Sequence, residues 1–332
     1  MKSLFLGIDT SNYRTSAAVV DAGGGILFQK AVLLDVPQGK RGLRQSDAFF
    51  MHSNRLPEYF EELFESVDPA NIKAVGVSER PRRIEGSYMP CFLAGVNAAR
   101  EIASSLRIPV YGFTHQEGHA AAVIESCENA PSSPFLFFHL SGGTTEALLC
   151  ETDNRGYRME IIGGTRDISA GQLLDRFGVA MGMPFPSGRY LDDIAYEVLD
   201  KISFDIRKIR KTGVMPKIVP SEGYFNLSGA ETRLMRYAEA NDAVPFSDVT
   251  AELFASVSEL LINDAKALSK KYNLAKIYMA GGVASSRTFR AIAQTSGITE
   301  IRFGSPDLSG DNAVGTALLA KRINETCNSI TS

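Results

Sequence analysis

His115 and His119 are the residues whose type and spacing most directly admit chemistry, and they are half of the chain's four histidines. Residues four apart on a helix share one face with adjacent Cβ atoms, so two imidazoles can converge on one metal ion. A His-Glu-x-x-His peptidase pattern needs Glu directly after the first histidine. Here Gln116 stands in that place and Glu117 follows it, which weakens a metallopeptidase reading. Two alternatives remain: a metal-binding pair, or two polar histidines that hydrogen-bond near a helix start.

Asp311, in Ser309-Gly310-Asp311-Asn312-Ala313, offers a carboxylate to that pair. Its plainer role is a helix N-cap, where Asp is favoured. As a third ligand it would suit iron, zinc or manganese and leave positions open for substrate. Three Gly/hydroxyl turns follow strand-like runs: Asp9-Thr10-Ser11, Ser141-Gly142-Gly143-Thr144-Thr145 and Gly281-Gly282-Val283. None is a Walker A loop, since no Gly-Lys-Ser/Thr follows, and none has the GxGxxG spacing of a dinucleotide fingerprint. Exposed N–H groups and hydroxyls at such tips can still cradle a phosphate. Asp175, on a helix-like run, reads either as a salt-bridge partner or as an acidic contact to ribose hydroxyls. Gly188, in Pro184-Phe185-Pro186-Ser187-Gly188, reads either as a plain helix start or as part of a binding turn. The basic run Arg207-Lys208-Ile209-Arg210-Lys211 is most simply a solvated face, with RNA contact the lesser option.

The elements that must position these residues form two similar runs. Residues 3–8, 15–20 and 26–29 alternate with polar and glycine turns, as three strands of a meander would. The same order, strand, hydroxyl/Gly turn, strand, turn, strand, returns over residues 135–162, which points to duplicated α/β domains. Ala130-Pro131-Ser132-Ser133-Pro134 is a natural boundary between them. Amphipathic helices are predicted over 51–67 and 249–270, with apolar stripes that form core faces. A strand over 275–280 ends in the Gly-Gly turn, a helix starts near Ser285-Ser286, and a last helix runs over 312–323. Ala313, Gly315 and Ala317 would let that last helix pack closely.

Composition bounds the rest. A chain of 332 residues exceeds one usual core, so two domains are expected. Hydrophobic content of 44% and charged content of 22% describe an ordinary globular protein. A net charge of −3 gives no general pull toward nucleic acid. The four cysteines are scattered without CxxC spacing, so a disulfide framework or zinc ribbon is not expected and a reducing cytoplasm fits. No signal peptide is read at the N-terminus, and no apolar run reaches the roughly 18 residues that span a bilayer.

Taken together, these segments resemble the TsaD family, long labelled glycoprotease or sialoglycoprotein endopeptidase. They are Gly7-Ile8-Asp9-Thr10-Ser11, the His115/His119 segment, Ser141-Gly142-Gly143, Asp175, Phe225-Asn226-Leu227-Ser228-Gly229, Ala280-Gly281-Gly282-Val283 and Asp311-Asn312. The family belongs to the actin-like ATPase superfamily with the sugar kinases and heat-shock ATPases. The resemblance therefore implies an α/β fold of two duplicated domains, mixed sheets flanked by helices, with a cleft between. The expected division is residues 1–130, completed by a C-terminal helix over 312–332, and residues 131–311. Known members transfer a threonylcarbamoyl group from threonylcarbamoyl-AMP to N6 of a tRNA adenosine. By position, His115, His119 and Asp311 would hold one divalent metal. Ser141, Gly142, Gly143, Asp175, Gly188 and Gly282 would line an adenine-nucleotide site, with Thr10, Thr144 and Ser286 beside them.

The departures from the family pattern begin in the first loop. An acidic pair after Thr-Ser is replaced by Asn12-Tyr13-Arg14, the candidate substrate contacts. Thr144 stands where the family has a histidine, and Ser286 where it has an asparagine. Ser78-Glu79-Arg80-Pro81-Arg82-Arg83 replaces an Ala-Gly-Pro-Gly loop. The chain reads as a divergent paralogue. The leading expectation is a metal- and nucleotide-binding transferase of carbamoyl or threonylcarbamoyl type with an altered, more anionic ligand. The second is a non-catalytic scaffold paired with a related protein, and the third is the old peptidase label. Expected partners are an adenine nucleotide or acyl-adenylate and a second copy or family paralogue; tRNA has no support from net charge, and no membrane is expected.

Overall fold

The computed structural model describes residues 3–11, 13–36, 43–127, 134–240, 243–298, 300–310 and 313–331. The first half runs β1 (Leu4–Asp9), β2 (Arg14–Asp21), β3 (Ile26–Leu33), α1 (Gln45–Ser66), β4 (Ile72–Arg80), α2 (Phe92–Leu106), β5 (Val110–Thr114) and α3 (His115–Cys127). The second half opens with β6 (Phe135–Leu140), β7 (Thr145–Asp153), β8 (Gly156–Thr165), α4 (Ala170–Ala180), α5 (Gly188–Asp200), β9 (Tyr224–Phe225) and α6 (Ser228–Ala240). It closes with α7 (Phe246–Tyr272), β10 (Ile277–Ala280), α8 (Arg287–Thr295), β11 (Ile301–Phe303), α9 (Pro306–Ser309) and α10 (Val314–Thr331).

The strands form two mixed sheets of the same design. One is ordered β3-β2-β1-β4-β5, and the other β11-β10-β6-β7-β8-β9. In each, a three-strand antiparallel meander is extended by two parallel strands on the side of its first strand: β4 and β5 join β1, and β10 and β11 join β6. β1 and β6 are buried at every position, as expected of central strands covered on both faces. The duplicated meanders expected from the sequence are therefore present in three dimensions.

Two helices lie between the sheets. α10 packs on β1, β2 and β4 and on α3, while α3 also meets β6, β8 and β10. One continuous apolar cluster joins Phe5, Ala18 and Ala74 of the first sheet to Phe135, Phe137 and Tyr278 of the second through Ala120, Ala121, Ala317 and Leu319. The small residues foreseen on the last helix serve this approach. A Cβ on Gly315 would stand 1.8 Å from the Gly118 carbonyl oxygen, so α10 and α3 touch backbone to backbone. The outer faces carry separate cores, α1 and α2 over the first sheet and α4 to α8 over the second.

Element ends differ from the expectation in places. α1 begins at Gln45 rather than at residue 51, and α7 and α10 extend past both predicted limits or the C-terminal one. Helix ends are the least sharply marked part of an apolar pattern, because the first and last turns carry few of the stripe's positions. No described helix is long and apolar enough to cross a membrane.

Candidate active site in the cleft

The start of α3 is fixed locally. Thr114 Oγ1 accepts the Glu117 backbone N–H at 3.2 Å, and a Glu117 carboxylate oxygen accepts the Thr114 N–H at 2.9 Å. This reciprocal capping box makes His115 the first helical residue and sets His119 one turn below it. Glu117 is buried and also takes Arg83 at 2.8 Å; burial still raises its carboxyl above the ordinary range.

His115 then meets Asp9 at the end of β1, with Nδ1 2.7 Å from Oδ2. Asp9 also accepts the Ser11 N–H at 2.7 Å and the Ser78 hydroxyl at 2.7 Å. Burial alone would raise this carboxyl, but the His115 charge and these hydrogen bonds together hold it below the usual value. With Nδ1–H donated to Asp9, His115 presents the lone pair of Nε2 on the other side. His119 Nε2 lies 3.0 Å from that atom.

His139, in the buried strand β6, completes the group. The ligand atoms of His115, His119 and His139 all lie within 4.8 Å of one another. Three imidazoles, largely buried and with one second nitrogen already tied to a carboxylate, match a transition-metal donor set. The fourth histidine, His52, is buried and bonded to Thr15 at 2.8 Å. Asp311 lies outside the described residues, though Gly310 before it lines the cavity beside the cluster.

That cavity, of about 850 Å³, opens between the two sheets. Ser141, Gly142, Gly143, Thr144, Asp175, Gly188, Gly282 and Ser286 all line it, together with His115, His139, Tyr13 and Arg14. The Ser141–Thr144 turn is closed by Ser141 N–H to the Thr144 carbonyl at 2.8 Å. Ser169 caps α4 and donates its hydroxyl to the Gly142 carbonyl at 2.7 Å, which seats the helix start against the turn. Asp175, one turn into α4, accepts the Ser187 and Gly188 N–H groups through Oδ1 at 2.8 and 3.0 Å. Burial raises its carboxyl despite these bonds. Gly281 holds φ at +101°, and a Cβ there would strike the Leu140 carbonyl at 2.3 Å, so the ends of β10 and β6 close on each other only with glycine.

Two sequence expectations change. Thr10 is fully buried and absent from the cavity wall; its hydroxyl donates to the Cys91 carbonyl at 3.0 Å and accepts Gly95 N–H at 3.1 Å, tying β1 to α2. Ser286 does reach the wall, but it also caps α8 and donates to Asp192 at 2.6 Å. Asp192 of α5 further accepts the Arg287 and Thr288 N–H groups, a role the sequence did not reveal. Asn12 lies outside the described residues. Tyr13 meets Phe185 edge to face with ring centroids 5.5 Å apart, closing the cleft from its two sides. Three of the four cations of the basic run pair at the surface: Arg207 and Lys208 with Asp205, Arg210 with Asp248.

His139 is the main residue that sequence reasoning missed. Its signal was a lone histidine in the otherwise apolar Phe135–Leu140 strand, just before the Ser-Gly-Gly turn. Asp9 carried a weaker signal, as the acidic residue ending a strand at the first hydroxyl turn.

Comparison with known proteins agrees with this architecture. Residues 39–318 match the family described as TsaD, tRNA N6-adenosine threonylcarbamoyltransferase. The enzyme of that name from Halalkalibacterium halodurans is 30% identical over 96% of this chain and 91% of its own length. Among solved structures, the activator of the 2-hydroxyisocaproyl-CoA dehydratase from Clostridium difficile, with bound ADPNP, superposes with a TM-score of 0.51 at 16% identity, covering 100% of this chain and 97% of that one. A ROK family glucokinase from Streptomyces griseus, in complex with glucose and AMPPNP, gives 0.51 at 14% identity over 96% of this chain and 100% of its own. The two-sheet architecture is the actin-like ATPase fold.

Proposed function

We propose, since this chain belongs to the TsaD family of tRNA N6-adenosine threonylcarbamoyltransferases, that it is a metal- and adenine-nucleotide-binding transferase of carbamoyl type acting on an acyl-adenylate. The observation that carries this reading is the sharing of one cavity by the imidazole cluster and the glycine and hydroxyl turns. His115, His119 and His139 would hold one divalent ion (iron, zinc or manganese), and Asp311, which the family resemblance assigns to the metal, would add a carboxylate. Such an ion, when bound, supplies Lewis-acid polarisation of the acyl oxygen. The same reading divides the chain into residues 1–130 with 312–332, and residues 131–311.

The chain's own groups do the remaining work. Backbone N–H groups of Gly142 and Gly143, with Thr144, receive the phosphate. Asp175 Oδ2 accepts from the ribose hydroxyls, while Gly188, Gly282 and Ser286 bound the nucleoside. An acceptor amine forms a C–N bond to the carbamoyl carbon as the C–O bond to phosphate breaks. AMP leaves with the electron pair, and the amine proton passes to solvent. Tyr13 and Arg14, standing where the family carries acids, favour an acyl group that bears negative charge through a charge-assisted hydrogen bond to Arg14.

The test is metal analysis and AMP calorimetry on the purified protein, its His115→Ala and His139→Ala variants, and complementation of cells depleted of the tRNA-modifying enzyme. We expect near-stoichiometric metal that both variants lose, with AMP bound by all three proteins. Metal-free wild-type protein that ignores AMP overturns the reading. Rescue of the depleted cells that persists in His115→Ala identifies a scaffold instead.

A further inference from the structure

We infer that Arg82, tethered by Glu146, is the cation that receives the phosphate of the bound nucleotide. This deepens the acyl-transfer reading above and rests on it. Arg82 lines the large cavity and also a smaller one, of about 360 Å³, against the start of α3. Of the three arginines between Arg80 and Arg83, it alone reaches the large cavity. Arg80 pairs with its neighbour Glu79 and lines neither cavity, while Arg83 lines the smaller one and is taken by Glu117 at 2.8 Å.

The stretch that carries Arg82 is fastened by its own bonds. The Pro81 carbonyl accepts the Gln116 N–H at 3.4 Å, and the Arg82 N–H donates to Ser87 Oγ at 3.2 Å. The Arg82 side chain then crosses from the first half of the chain to the second, with Nη1 2.5 Å from Glu146 Oε1 on β7. Glu146 is largely buried, and its other oxygen accepts from Gln116 Nε2. A guanidinium carries five N–H donors, and this ion pair engages Nη1. Among the described residues no other side chain takes the Arg82 guanidinium, which is 38% exposed.

The register of β6 and β7 sets where this cation stands. Glu146 is the cross-strand partner of His139 and Thr145 that of Leu140, so the Ser141–Thr144 turn closes the same hairpin. Arg82 is thereby tied to the hairpin that carries both the phosphate-receiving turn and one imidazole of the cluster. That turn offers N–H groups and hydroxyls but no full charge. The two acids of the large cavity do not compete for the free edge of Arg82: Asp175 and Asp192 accept backbone N–H groups of α5 and α8. As the acyl C–O bond breaks, its electron pair stays on the phosphate oxygen, and a guanidinium already fixed beside it stabilises the added negative charge.

The experiment is calorimetry on the full chain with adenosine and with AMP, which differ by the phosphate alone. Arg82→Gln is expected to lose about tenfold or more of the AMP affinity while adenosine affinity holds. The double variant Arg82→Gln with Glu146→Gln leaves no buried acid unpaired and should show the same loss, which separates the missing cation from a stranded Glu146. Arg80→Gln removes a neighbouring charge that lines neither cavity and should leave both affinities unchanged, with melting temperatures reporting that each variant is folded. AMP affinity unchanged in Arg82→Gln, restored in the double variant, or lost equally in Arg80→Gln overturns the inference and leaves the transferase reading standing. An equal loss for adenosine and AMP overturns it as well. Wild-type protein that binds neither ligand sinks the transferase reading, and the inference with it.

Discussion

Asp9 Oδ2 and His115 Nδ1 stand 2.7 Å apart across 106 residues of sequence, joining the end of the first strand to the start of the helix between the sheets. The contact settles which imidazole nitrogen faces the cluster. Asp9 is held by two further donors and kept below the usual carboxylate range, so it accepts from Nδ1–H and His115 turns Nε2 toward His119.

Asp9→Asn should therefore weaken metal binding by about 10- to 100-fold, the usual effect of losing a carboxylate behind a ligating histidine. Chelator competition on the folded variant measures it. Affinity equal to wild type would reduce Asp9 to a structural role.

Asp264 of α7 gives the pH prediction. It is 1% exposed, Oδ2 has no hydrogen-bond partner, and burial pushes the carboxyl up to about 7. The unfolded value is about 3.9, so the charged form costs nothing below that pH, begins to cost as pH rises through the window and costs fully above about 7. Asp264→Asn should raise stability at pH 8 by up to about 4 kcal/mol, by less at pH 5, and by nothing near pH 4. Paired denaturation curves at the three pH values decide it; a difference that does not change with pH contradicts the assignment.

Gly315→Ala should cost about 1–3 kcal/mol or more, because its Cβ would stand 1.8 Å from the Gly118 carbonyl and neither backbone can yield cheaply. Gly118 lies between His115 and His119, so metal affinity should fall along with the melting temperature. Gly229→Ala in α6, where a Cβ meets nothing within 4 Å, is the control and should leave both within error.

The sequence alone determined the paired meanders, because strand periodicity and glycine turns are local properties that need no partner to be read. It also determined the histidine pair on one helical face, through i,i+4 spacing behind the Thr114–Glu117 box. The glycine and hydroxyl turns were legible for the same reason, and most of them do reach one cavity.

Only the tertiary structure decided which side chains converge. His139 looks like a core residue of a buried strand until the packing of α3 against β6 brings it within 4.8 Å of His115 and His119. Thr10 looks like a binding hydroxyl until α2 closes over it and takes both of its hydrogen bonds. Asp192 carries no local signal at all, since its partners are N–H groups of a helix more than ninety residues on. Periodicity fixes the face a residue occupies within its own element. Where that face points is set by backbone contacts such as Gly315 against Gly118, between elements that are distant in the chain.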